Sequence, residues 1–173
     1  IANISDFNST STEFEDEPMG STAAHANINK IRAISKQIKL YAPIIQTHIE
    51  RQDNLSKLYP EPQKNILADQ LKTVARLIGS GLNTHIYIVQ QHDYDHHADQ
   101  VDRSDTTQGK HAVLLKDLSE AVTAFQDDLQ LMGKQDDVIA MTFSEFGRRI
   151  ASGSYGTDHG TAESVMLFGS KLK

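Results

Sequence analysis

Cysteine is absent from all 173 residues, and disulfide scaffolds, zinc-thiolate sites and thiol nucleophiles go with it. That absence leaves both the cytoplasm and an exported compartment open. No apolar run approaches the roughly eighteen residues that span a bilayer, so no membrane span is expected. The N-terminus shows no basic-then-apolar export signal. Positive charge is not in surplus: the net charge is -6 and the pI about 5.7, whereas binding a phosphate backbone needs a basic surface, which excludes nucleic acid as the main partner. Internal repeats and heptad seams are missing. No GxSxG elbow exists, which ranks Ser-His-Asp nucleophilic catalysis low although Ser144 and His159 are present.

The length suits one compact domain with a sizeable core. Residues 1–22 are acidic and rich in Ser and Thr, and read as a polar N-terminal arm. Residues 23–173 read as a single α/β domain. The chain starts at Ile1 without Met and stops shortly after an apparent strand, and so reads as a piece of a larger precursor.

From Ala23, isoleucines at 28, 31, 34, 38, 45 and 49, with Tyr41, recur three or four apart and mark one face of a helix. Pro43 falls inside it, predicting a kink or a second helix opened by the proline. Leu67, Leu71, Val74 and Ile78 predict another helix, stopped by Gly79 and Gly81. Leu115, Leu118, Val122, Phe125, Leu129 and Met132 predict a third, closed by Gly133. HIYIVQ (85–90), DVIAMTF (137–143) and SVMLFG (164–169) predict strands. Strand, helix, strand is a βαβ order, which predicts parallel strands with a right-handed crossover. The chain is then expected to stay at the strands' carboxyl edge after Ser144 and to re-enter the sheet antiparallel. That edge is where open α/β sheets bind ligands.

Three polar segments follow the predicted strands. QHDYDHHADQ (91–100) offers His92, Asp93, Asp95, His96 and His97, a mixture of oxygen and imidazole ligands suited to a divalent metal such as Zn, Mn, Fe, Mg or Ca. Asp93 or Asp95 with His97 would point at one ion; the plain alternative is a solvated loop, because no spacing here is as restrictive as HExxH. In FSEFGRR (143–149), Glu145 reads as ligand or general base, Ser144 as a donor, and Arg148 or Arg149 as a clamp for an oxyanion. The plain alternative is a structural ion pair between Glu145 and an arginine. GTDHGTA (156–162) sets Asp158 beside His159 between glycines, as a carboxylate-oriented imidazole or as a tight turn capped by Asp158. Phe143 and Phe146 read as core contacts.

The order of these segments, with SEFGRR and GTDHG over roughly residues 62–173, resembles the bacterial domain-of-unknown-function family 1501, usually found as larger exported proteins. That family is similar to the alkaline phosphatase and sulfatase superfamily. The resemblance implies an α/β fold, part of an alkaline-phosphatase-like architecture with a mixed, mostly parallel sheet flanked by helices. It implies a periplasmic or secreted location and a metal site from Asp95 with His97, or Asp93 with His97, and His159; the residues read best as a site from Asp95, His97 and His159, joined by Asp93, Glu145 and Asp158. It further implies hydrolysis of a small anionic phosphate or sulfate ester, with Glu145 and Arg148 as catalytic groups. The chain departs from the superfamily in having Ser144-Glu145 where phosphatases usually carry Asp-His, and in showing no nucleophile segment in residues 1–60. The alternative is a non-catalytic metal- or ligand-binding member with a protein partner in an exported complex.

Overall fold

The three apolar stripes fold as three helices in this computed structural model, which describes residues 22–172. The polar arm expected over residues 1–22 lies outside the described residues apart from Thr22, whose side chain accepts from the His25 amide and caps the first helix. That helix, α1 (Ala23–Arg51), continues through Pro43 without dividing in two. It forgoes one backbone bond there, and the Thr47 hydroxyl donates to the Pro43 carbonyl at 2.8 Å.

Helix α2 (Ile66–Gly79) starts at Asn65, whose side chain accepts from the Ala68 amide at 3.0 Å. Helix α3 (Lys110–Leu131) is followed by Gly133 at φ 67°, the left-handed position that glycine takes at little cost after a helix. The core lies between these two: Leu67, Leu71, Val74 and Ala75 meet Ala121, Phe125 and Leu129. Ala75 and Ala121 are wholly buried, and their small side chains let the two helices approach closely. Each buried Leu or Phe stabilises by about 1.5–3 kcal/mol.

One charged group enters this interior. The Asp128 carboxylate is wholly buried and accepts from the amides of Leu55 at 2.7 Å and Ser56 at 3.0 Å and from the Asn54 side chain at 2.6 Å. A buried carboxylate is tolerated when its lone pairs are filled in this way. It fastens the connection between α1 and α2 onto α3.

The expected α/β architecture, an alkaline-phosphatase-like fold with a mostly parallel sheet, is not what the chain forms. Its strands are β1 (Ala140–Met141), β2 (Gly147–Gly153), β3 (Gly156–Gly160) and β4 (Leu167–Phe168), in two antiparallel two-stranded sheets, β1 with β4 and β2 with β3. Residues 85–90 are not a strand. Tyr87 and Val89 do pack on the helical core, but a strand is defined by its ladder, and among the described residues none runs beside this segment. Its anchor is a side chain instead: the Gln90 amide donates to Gln70 Oε1 at 3.0 Å, and Gln70 Nε2 donates back to the Gln90 carbonyl at 2.8 Å. Without that strand the described residues contain no βαβ crossover. The antiparallel return after Ser144 is present, with Ala140 opposite Phe168 and Met141 opposite Leu167.

Candidate metal centre

Segments 143–149 and 156–162, expected as loops, supply the two strands of a hairpin. Ser154 and Tyr155, at φ 52° and 61°, form its two-residue turn between Gly153 and Gly156. Two positive φ values in succession make the primed turn that matches strand twist. The hairpin register sets Arg148 opposite His159, and directly opposed residues of an antiparallel pair project from one face.

Residues 94–101 run against β3. The Thr157 amide donates to the His96 carbonyl at 3.3 Å, and the Gln100 amide to the Tyr155 carbonyl at 2.8 Å. Gly156 permits this approach, because a Cβ there would fall on the backbone of His97. Arg148 closes the clasp: its guanidinium donates to the carbonyls of Thr157 and of Tyr94, the latter at 2.6 Å, and to Asp95 Oδ1 at 3.2 Å.

Asp95 Oδ1 is the focus of the cluster. His159 Nε2 lies 2.7 Å from it and His97 Nε2 3.0 Å. The hydrogen bond with His159, aided by the charges of His159, His97 and Arg148, holds the Asp95 carboxyl below the usual carboxylate range. His97 Nδ1, on the far side of its ring, is 3.1 Å from Asp158 Oδ1. Phe146 stacks on the His159 ring at 3.8 Å between centroids. One ligand atom each from Asp95, His97 and His159 lies within 4.8 Å of the others, and all three residues are exposed.

Of the expected site residues, Asp95, His97, Asp158, His159 and Arg148 meet here, and two stand apart. Asp93, at φ 71°, turns into a cleft of about 250 Å³ lined with His96, Lys110, Val113 and Leu114. Glu145 is exposed and makes no ion pair with Arg148. In place of the Glu145 ion pair offered as the plain alternative, Arg148 holds Asp95 and carbonyl oxygens. The Ser144 hydroxyl is taken by the carbonyl of Phe146 at 2.6 Å. Asp158 orients His97 rather than its neighbour His159. Phe146, expected in the core, packs on a candidate ligand, and only the hairpin register would have revealed that. Burial lowers the pKa of His96 and of His111, with nearby cations adding to it. A larger cleft of about 460 Å³ lies between 99–104 and 109–110, and neither cleft is lined by Asp95, His97 or His159.

A family model described as "Protein of unknown function (DUF1501)" matches residues 49–173. The chain belongs to the DUF1501 family. A search of curated proteins and a search of solved structures each return no match. Every cluster residue lies inside the DUF1501 match, which begins in the last turn of α1 and takes in all of α2, α3 and the hairpin. The donor set of this DUF1501 chain is two imidazole nitrogens and one carboxylate oxygen. Donors of these types are ones that a borderline divalent ion accepts. A carboxylate behind His97 is the partner that fixes the tautomer of a ligating imidazole.

Proposed function

We propose that Asp95, His97 and His159 hold one divalent metal ion and that the chain is a metal-dependent hydrolase of phosphate or sulfate esters. The observation carrying the reading is the convergence of His97 Nε2 and His159 Nε2 on Asp95 Oδ1 at 3.0 and 2.7 Å, with the three ligand atoms within 4.8 Å of one another. A bound ion of this kind supplies Lewis-acid polarisation of an ester oxygen or a more acidic water. Asp158 orients His97, and Phe146 fixes the plane of His159. Glu145, exposed one residue before Phe146, is the carboxylate left for general-base work. Arg148 is a positioning residue: its donors hold residues 94–97 against the hairpin.

The commitments of Arg148 and Ser144 favour a second reading, a metal-binding protein without turnover. Metal content after equilibration with Zn²⁺ or Mn²⁺ and desalting tests the centre itself. About one ion per chain is expected, with His159→Ala and Asp95→Asn reducing it more than tenfold; a content near zero in the parent chain ends the metal reading. Turnover of aryl phosphates and aryl sulfates then separates the two. Hydrolysis lost in Glu145→Ala with metal retained supports the enzyme, and retained metal without hydrolysis supports the binding protein.

A further inference from the structure

Residues 91–100 are held by two different neighbours. Asp95 and His97 meet side chains of the hairpin, whereas Tyr94 and His96 meet the first turns of α3. The Tyr94 ring stands edge-on to the His111 ring, with 5.9 Å between centroids and 80° between planes. The Tyr94 hydroxyl donates to Gln91 Oε1 at 2.9 Å, and Gln91 Nε2 donates to the Leu114 carbonyl at 2.9 Å. The His111 amide donates to the Gln100 carbonyl at 3.1 Å. His96 shares its cleft with Lys110, Val113 and Leu114. The segment that carries two candidate ligands is thus docked on a helix end by contacts that the candidate metal centre does not use.

This junction suits a neutral imidazole and not a charged one. His111 is partly buried, and its Nδ1 is shut off from solvent with no hydrogen-bond partner. Protonation makes both ring nitrogens donors and adds a charge, and a shielded charge without a partner costs far more than a shielded lone pair. The surrounding groups do not receive that charge. From residues 91–97 they are Tyr94, His96, whose Nδ1 is likewise without a partner, and Asp93, whose charge reaches His96. From the hairpin comes Arg148, and from α3 itself Lys110, which acts on His96, and Asp117, which acts on Tyr94. Burial first and the Arg148 guanidinium second hold the His111 imidazole below its usual 6.5, with no carboxylate against them among the described residues.

We infer that His111 is an acid-sensitive latch between α3 and the clasp: with a neutral ring the first turn of α3 docks on Tyr94, and with a charged ring it lets go. Release reaches the hairpin, because Tyr94 supplies a carbonyl to Arg148 at 2.6 Å and precedes Asp95 in the chain. The undocked ring takes up the proton first, at about pH 6.5. Docking is therefore complete above that pH and is lost as pH falls toward the lower value of the docked ring. His111 alone carries the switch; His96 lies between two candidate ligands, and its titration belongs with theirs. The latch operates in the metal-free chain, so it stands or falls separately from the metal reading.

Hydrogen exchange of the full, metal-free chain between pH 7 and pH 5.5, corrected for the intrinsic rate, tests the latch. Opening at the His111 amide is expected to become up to about eightfold more favourable over that interval, with the Gln100 and Thr157 amides following it. His111→Phe keeps an aromatic ring for Tyr94 and has no proton to take up, and His111→Gln serves in its place if the larger ring disturbs the fold. The difference between parent and variant removes what His96, His97 and His159 contribute. In either variant the eightfold change is expected to fall below about twofold. The ring resonances of His111 are expected to titrate below 6.5 in step with those of Tyr94. Equal pH dependence in parent and variant overturns the inference, as does a His111 ring that titrates at or above 6.5.

Discussion

The α2–α3 core and the clasp between residues 94–101 and the β2–β3 hairpin are interleaved along the chain and are ordered by different forces. In the core, leucines, alanines and a phenylalanine exclude water, and the one charge, Asp128, has its oxygens filled by three donors. In the clasp the side chains around Asp95 stay about half exposed, and order comes from hydrogen bonds to backbone carbonyls, with Arg148 as the principal donor. Burial is non-directional and forgiving of small shifts, whereas a clasp of hydrogen bonds fails when one geometry fails. The core therefore sets global stability, and the clasp sets the site.

The largest effect is expected from Asp128→Ala, which leaves the Leu55 and Ser56 amides without their acceptor. A loss of about 3 kcal/mol in chemical denaturation is expected, and a loss below about 1 kcal/mol would mean that the connection from α1 finds other partners. Gly156→Val breaks the other side of the comparison, because its side chain falls on the His97 backbone. Metal binding is expected to disappear while α2 and α3 keep their hydrogen-exchange protection. If that protection falls as well, the two regions are one cooperative unit.

Arg148→Lys keeps the charge and loses the planar fork. The Thr157 and Gln100 amides should then exchange faster by an amount corresponding to about 2 kcal/mol of local opening, as befits charge-assisted bonds, with little change in midpoint denaturant. The smallest effect is in pH. Burial holds the His111 imidazole below its usual 6.5, so the unfolded chain takes up the proton first. The neutral ring's contribution is complete above about pH 6.5 and is lost as pH falls toward the folded value. His111→Leu should flatten the melting temperature between pH 7 and 5. The depressed Asp95 carboxyl adds a separate stabilising contribution, present above about pH 4 and lost as pH falls through the folded value.

Much of this was legible in the residues. The three helices follow from isoleucine and leucine spacing, and Asp95, His97 and His159 stand out as ligand types flanked by turn-forming residues. The sheet was not legible. HIYIVQ has strand composition, but composition cannot supply the neighbour that a ladder needs, and Gln70 takes the place of one. The hairpin was obscured because its strands are polar and end in glycine, and its signal, a two-residue Ser154-Tyr155 turn between glycines, lacks the usual Asn-Gly form. Asp128 gave no sign at all, since a buried aspartate and a surface aspartate on a helix look alike in sequence.

The sequence by itself determined what depends on local periodicity and chemical type: the helical stripes, the absence of thiol chemistry, and the family to which residues 49–173 belong. Only the tertiary structure decided which partners meet. It assigned Asp158 to His97 rather than to its neighbour, turned Arg148 from an oxyanion clamp into a clasp and sent Asp93 into a separate cleft. The first two depend on contacts between residues more than fifty positions apart and the third on the backbone turn at Asp93, none of which a linear pattern encodes.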